Sequence, residues 1–539
     1  MGAFKKMIFG LFLLMIAVLQ AQDKPTDFLP ADFHKERRQM VREMMPANSV
    51  AILFANPVRN RANDVDYVYH QDPDFYYLSG YHEPHAILLV FSEKQYTDDN
   101  QAYDEILFVQ ERNPRAEQWT GKRLGIEGAK ANLGFTTVFN GKDFLSSDID
   151  FKSFDKVLFF DFKNDVRDSR EESDLFSLIG SFKEKVNYPS DYNANKQQLY
   201  QMITSTEVEN SANVAQVLGR YLTRDESLQK DELLSGFVNA ADEQSRLEIK
   251  DRVALKMEGN NLDSSSLTEI MAKLRETKTE EEMVLLKKAI EISAVGQIEV
   301  MKAMHPDMSE AEIQGVHEFV YKKYNAEYEG YPSIVGGGHN GCILHYIENN
   351  KPKVGNDLVL MDLGAEYHGY TADVTRTIPA NGKFSKEQKL IYEIVYEAQE
   401  AGIKASVVGA PFQAPGQAAS KVVTAGLMKL GIIKKEEDSR IYFPHGTSHY
   451  LGLDVHDRGT YGAFQPNTVI TVEPGIYIPE GSDCDKKWWG IAVRIEDDIL
   501  ITENGPVNLS AMAPRTVADI EKTMALSSPL DDFKLPELD

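Results

Sequence analysis

The sequence predicts two unlike domains in tandem, a smaller α/β domain followed by an α+β domain that holds the chemistry. Three observations carry this. At 539 residues the chain is longer than one ordinary core serves. Four short apolar runs, at residues 51–55, 86–91, 106–109 and 157–162, have the length and punctuation of buried strands. Beyond residue 266 the order changes, with two capped helices first and strand-rich sequence after them, as in α+β domains.

The chain opens MGAFKKMIFGLFLLMIAVLQAQDKP. Lys5 and Lys6 precede an apolar run at 7–19, and small and polar residues follow. That run is too short to span a bilayer and matches a secretory signal peptide over residues 1–21. Bulky Leu19 makes the cleavage site imperfect, so a retained anchor is the competing reading. The expectation is an exported protein, periplasmic or secreted, with no stable membrane span once the leader is removed.

Residues 22–162 form the expected α/β domain. It begins with helical spacing at Phe33, Met40, Val41 and Met44. Residues 163–265 are polar and helical, and read as an insertion or linker. Residues 266–525 form the α+β domain. Its first helix starts at Thr279, which has capping-box spacing to Glu282 and is followed by Met283, Leu286, Ile290, Ala294 and Ile298 on one face. Ser309 and Glu312 mark a second start, followed by Ile313, Val316 and Val320. Residues 526–539 read as an acidic tail.

With 42% hydrophobic and 26% charged residues, the chain has ample material for buried cores. The net charge of -25 repels phosphate backbones, so nucleic acid is excluded as a partner class. Cys342 and Cys484 are the only cysteines, too few for a disulfide framework. Two free thiols are expected, with a single bridge as the alternative. Gly336, Gly337 and Gly338 lack the spacing of a phosphate loop or a dinucleotide fingerprint.

Five metal-compatible side chains recur in the last third, each in a distinctive frame. Asp362 and Asp373 lie in MDLGAEYHGYTADVTRT (361–377), and His449 in HGTSHYLGLDVHD (445–457). Glu473 lies in TVEPGIY (471–477), and Glu496 in VRIEDD (493–498). Four carboxylates and one imidazole carry too much negative charge to share a cleft unneutralised. Two divalent cations would balance them and would activate water, which reads as a hydrolase. Gly364 and Gly369 suit a hairpin that brings Asp362 and Asp373 to one cavity, with Asp373 inside a strand. Glu496 is placed within a strand over 491–501, sharing a face with Arg494, whose charge would hold a liganding carboxylate ionised. Oxygen-rich ligation with one imidazole suits Mn(II), with Co(II), Zn(II) or Fe(II) as alternatives.

At these residues the sequence resembles the aminopeptidase P (Xaa-Pro aminopeptidase) family. The likeness extends to DVDYVYHQDPDFYYLSGYHEPHAILLV (64–90) and SIVGGGHNGCILHY (333–346). It implies a pita-bread catalytic domain preceded by a smaller creatinase-like α/β domain. It implies one metal on Asp362, Asp373 and Glu496, and another on Asp373, His449, Glu473 and Glu496. The implied reaction is attack by metal-activated hydroxide, releasing the first residue of peptides with proline second. Glu473 is then the proton shuttle, and His345 and His456 are cleft histidines that hydrogen-bond the substrate. His445 and Arg494 support the ligands, and Tyr477 helps line the proline slot. The resemblance also implies self-association into a homo-oligomer. Two readings compete: a methionine-aminopeptidase-like peptidase of the same fold, and a peptide-binding pita-bread module without catalysis. The module would be expected to lose ligands, and none is lost here.

Overall fold

Alternation along the first-domain strands explains why they read as unbroken apolar runs. The computed structural model describes residues 27–97, 99–258, 260–532 and 535–536. The expected leader at 1–21 and the end of the acidic tail lie outside them. The first domain is built on a six-stranded sheet. Its spatial order is Val138–Asn140, Ala102–Val109, Ile87–Tyr96, Ser49–Phe54, Lys156–Phe159, Leu262–Asp263. The central pair is antiparallel with Ile52 opposite Leu89, and Lys156–Phe159 joins it in parallel. Ala51, Leu53, Leu88 and Leu158 face one apolar cluster, while Val50, Ile52, Leu89 and Phe159 face another. A sheet covered on both sides needs apolar residues at every position. The strands Val138–Asn140 and Leu262–Asp263 are too short to leave a pattern, and sequence reasoning missed both.

The helix Ala31–Met44 forms where its spacing predicts, but only part of the expected face is buried. Phe33 and Val41 are inside, whereas Met40 and Met44 are exposed. The inward positions beside Phe33 and Val41 are His34 and Arg38, with Arg38 Nε donating to Glu105 Oε2 at 2.8 Å. Polar residues on the buried face misled the periodicity.

The 163–265 stretch is helical between Leu175 and Met257 and then returns to the sheet through Leu262–Asp263. Leu178 and Phe182 pack on the first domain, and the later helices bury Leu199, Ile203, Leu218, Leu234, Phe237 and Val253 in a core of their own.

In the second domain, Thr279 caps the 24-residue helix Glu280–Ala303, and the capping box with Glu282 is complete. Ser309 caps Glu310–Lys323 through the Glu312 N–H. The first helix is buried on most sides, against the strands Ala365–Tyr367, Tyr370–Thr371 and Val374–Pro379 on either side of Asp373. None of the described helices is long and apolar enough to cross a membrane. Cys342 and Cys484 are both free thiols.

Two antiparallel hairpins dominate this domain, and each is broken partway. In the first, Leu363 pairs with Val374 and, beyond the break, Glu366 pairs with Thr371. In the second, Val472 pairs with Asp497 in one sheet and Gly475 with Arg494 in the next. Asp373, Glu473 and Glu496 all fall in these unpaired gaps. This corrects two expectations. Asp373 precedes the strand Val374–Pro379, and Glu496 separates Ile491–Arg494 from Asp497–Thr502. Where a hairpin passes from one sheet to another, local pairing lapses and a side chain can leave the alternating pattern. Gly364 is required at the first break, because a Cβ there would lie 1.8 Å from Ala372 O.

Candidate metal centre

The breaks aim their acids at one cavity of about 530 Å³ in the second domain. Asp362, Asp373, His449, Glu473 and Glu496 line it together with His345, His445, His456 and Arg494. Tyr477 does not line it. It is 3% exposed, on the strand Gly475–Ile478, and it reaches the cleft only through its hydroxyl. That hydroxyl lies 2.8 Å from His445 Nε2 and accepts from Arg494 Nη1 at 2.9 Å. Direct lining of a proline slot by Tyr477 is therefore corrected to support of two cleft residues, because strand alternation turns the ring toward Ile334, Tyr346 and Leu360.

Each acid is held differently. The Tyr331 hydroxyl lies 2.7 Å from Asp362 Oδ1 and 2.5 Å from Asp373 Oδ1. Asp362 Oδ2 also accepts from Arg494 Nη2. The expectation is that Arg494 shares a strand face with Glu496 and holds that carboxylate ionised. The strand break rotates Glu496 away, and the guanidinium finds Asp362 instead. Thr375 Oγ1 donates to Glu496 Oε2 at 2.6 Å. Among the described residues Glu473 is held least by hydrogen bonds, with Thr471 Oγ1 donating to its Oε1 at 3.4 Å. The Asp373 backbone N–H donates to Asp498 Oδ2 at 3.3 Å. Tyr331, Thr375 and Asp498 were not singled out in the sequence. The only signal for Tyr331 is its place immediately before Pro332 at the start of the glycine-rich strand.

His449 Nδ1 donates to Tyr450 O at 3.0 Å, which fixes the tautomer and leaves Nε2 facing the acids. Nε2 lies 3.4 Å from Asp373 Oδ2 and 3.5 Å from Glu473 Oε1. These separations are long for hydrogen bonds. They suit ligands of a shared cation, since two atoms each ~2.1 Å from one ion at a tetrahedral angle lie ~3.4 Å apart. Ligand atoms of Asp373, His449 and Glu496 all fall within 4.8 Å of one another.

The electrostatics point the same way. Burial, reinforced by the charges of Asp373 and Glu473, pushes the Glu496 carboxyl well above the usual range. Burial and Asp362 raise Asp373, while burial and Asp373 raise Glu473 despite His449. Asp362 alone is lowered: burial would raise it, but Arg494 and Tyr331 outweigh that. The His445 imidazole is pushed down to about 4 by burial and by Arg494, so it stands neutral beside the centre. An acid cluster that cannot ionise fully on its own fits divalent cations as the missing positive charge. A second cavity of about 570 Å³ lies in the first domain and contains none of these groups.

Fold and site together define a two-domain metallopeptidase that uses divalent metal. Residues 284–503 match Metallopeptidase family M24, and residues 34–148 match Aminopeptidase P, N-terminal domain. The Xaa-Pro aminopeptidase of Escherichia coli strain K12 is 34% identical over 505 residues, covering 92% of this chain and 97% of its own length. That of Haemophilus influenzae is 32% identical, covering 92% and 98%. A solved structure of aminopeptidase P from E. coli with the inhibitor Pro-Leu matches with a TM-score of 0.71 at 30% identity, covering 92% and 98%. The chain belongs to the Xaa-Pro aminopeptidase (aminopeptidase P) family.

Proposed function

We propose that this protein is an exported, manganese-dependent aminopeptidase that removes the first residue from peptides with proline second. The observation that carries the reading is the set of four carboxylates and one imidazole, three of them buried and two half-buried, around a substrate-sized cavity. Asp362, Asp373 and Glu496 would hold one cation, and Asp373, His449, Glu473 and Glu496 another. When bound, two divalent cations supply an acidified water and an electrophilic partner for the peptide carbonyl.

The chain's own groups do the rest. Arg494 and Tyr331 keep Asp362 ionised and in place, and Thr375 orients Glu496. Among the described residues Glu473 has the weakest hydrogen bonding of the acids, so its carboxyl is free to take a proton from water and pass it to the leaving nitrogen. That nitrogen, like any amide nitrogen, must receive a proton to depart as an amine, and in an Xaa-Pro bond it carries no N–H of its own. His345 and His456 stand on the exposed side of the cavity, where ring N–H groups can donate to the substrate or to the oxyanion.

The test uses protein stripped of metal and refilled singly with Mn(II), Co(II), Zn(II) or Fe(II). Release of the first residue from Xaa-Pro-Yaa, fastest with Mn(II), is expected. Cleavage of Met-Ala-Yaa but not Xaa-Pro-Yaa would instead support a methionine-aminopeptidase-like enzyme, and binding without turnover would support a module. Export rests on the leader-like residues 1–21, and amino-terminal sequencing of protein from the producing cell should find them removed. Self-association rests on family likeness, and sedimentation should find more than one chain.

A further inference from the structure

His345 sits on a wall that has no regular structure to hold it. After the short helical turn Gly338–Cys342 the chain forms neither helix nor strand until Leu358–Leu363. The His345 ring is exposed to the cavity and makes no hydrogen bond among the described residues. Its direction must therefore come from the backbone beneath it.

That backbone is gathered on one buried carboxylate. Glu310, the first residue of the helix Glu310–Lys323, is 0% exposed. Its Oε1 accepts from Gly337 N at 2.7 Å and Asn340 Nδ2 at 2.9 Å. Its Oε2 accepts from the Tyr346 hydroxyl at 2.8 Å and Lys351 N at 2.9 Å. Two donors precede His345 and two follow it. Asn340 Nδ2 also lies 2.9 Å from the Tyr346 hydroxyl, which closes the ring of contacts. Tyr346 is buried against Ile334 and Leu360, and His345, the residue before it, faces the opposite way into the cleft. Among the described residues Glu310 forms no ion pair. Four donors are then its whole compensation for leaving water, and such a group is rigid only while all four hold.

We propose that Glu310 is a positioning residue for the peptidase reaction, acting through Tyr346 to aim His345 into the cleft. It touches neither metal ligands nor substrate. The proposal rests on the reading of His345 as a substrate hydrogen-bond donor. The experiment compares E310Q, Y346F, H345A and the double variant E310Q/H345A by kcat, KM, bound metal and Tm. A glutamine replaces one oxygen by an N–H₂ that cannot accept from Gly337 N or Lys351 N, so at least one of the four contacts fails. H345A should lower kcat about 100-fold, as loss of one oxyanion donor does. E310Q should lower kcat about tenfold, with bound metal unchanged. The double variant should be no slower than H345A, because Glu310 has nothing left to aim. Multiplying losses in the double variant, or wild-type turnover in E310Q beside an impaired H345A, would overturn the proposal. Wild-type turnover in H345A would instead sink the underlying reading of His345, and the proposal with it. If E310Q fails to fold, Y346F and Y346F/H345A are judged by the same two criteria.

Discussion

Two clusters of carboxylates in this molecule are treated in opposite ways. At the junction between domains, Asp74, Asp454 and Asp457 meet Arg275, Lys278 and Arg458. Arg275 is 1% exposed and reaches all three acids, at 2.7 Å to Asp74 and 2.9 Å to Asp454, with Asp457 also in contact. Lys278 donates to Asp457 at 2.9 Å, and Arg458 to Asp74 at 2.7 Å. Three acids there have three cations of the protein's own. At the metal centre, among the described residues, four acids have only His449 and Arg494, and Arg494 serves Asp362. The consequence is visible in the acids: burial works against Asp457, yet Arg275 and Lys278 hold it low, and Asp454 is lifted by burial only to about 6 against Arg275, while Glu496 is driven well above the usual range. Buried acidity alone does not mark a metal site. Several acids that converge on one cavity with too few cations do.

The largest expected effect tests that imbalance. Asp373→Ala should drop turnover to background and strip bound divalent metal, since Asp373 belongs to both proposed ligand sets. The metal-free variant should nevertheless melt no lower than metal-free wild type, because one repelling carboxylate has gone. A metal-free variant that melts far lower would show that the acids are balanced within the protein after all.

Arg275→Met should have the reverse sign. It leaves Asp74, Asp454 and Asp457 with their main partner gone, and breaking a buried pair costs about 3–5 kcal/mol. Urea unfolding measures it, and added metal should not restore the loss. A cost below about 1 kcal/mol would place this network with ordinary surface pairs.

The two clusters also differ in how much of them sequence could show. The metal ligands stand in four distinctive frames, and the structure brings all five to one cavity. The α/β-then-α+β order was equally legible, because capping boxes and apolar runs are local signals. The junction was invisible. Asp74, Arg275 and Asp457 are ordinary residues far apart in the chain, and only tertiary packing makes them neighbours. The hairpin breaks escaped for a related reason: alternating apolar residues at 491–501 look the same whether or not the strand changes sheets at Glu496. Tyr331 and Glu310 were missed because a tyrosine or a glutamate at a loop or helix start is an everyday residue there.

Tyr331→Phe gives a smaller and sharper test. It removes the one hydroxyl shared by Asp362 and Asp373 without changing net charge. Metal affinity or turnover should fall about 10–100-fold, the usual cost of losing an outer-shell partner. Titration of the metal-free protein with Mn(II), followed by calorimetry, measures it. An unchanged affinity would mean that the acids need only charge balance and no fixed orientation.

The smallest effect probes a third way to balance an acid, with a cation that is present only at some pH. His70, from the first domain, places Nε2 2.9 Å from Glu366 Oε2 in the hairpin that joins Asp362 to Asp373. The hydrogen bond to Glu366 raises the His70 pKa, with burial working against it. A raised folded pKa means the pairing contributes fully below the unfolded value of about 6.5 and is lost as pH rises through the folded value. The His70 side chain is 39% exposed, so solvent screening limits the contribution to about 1 kcal/mol or less. The stability of wild type minus that of His70→Gln should therefore be positive at about pH 6 and shrink toward zero by about pH 9. A difference that stays flat across that range would show that Glu366 is satisfied by hydrogen bonding alone.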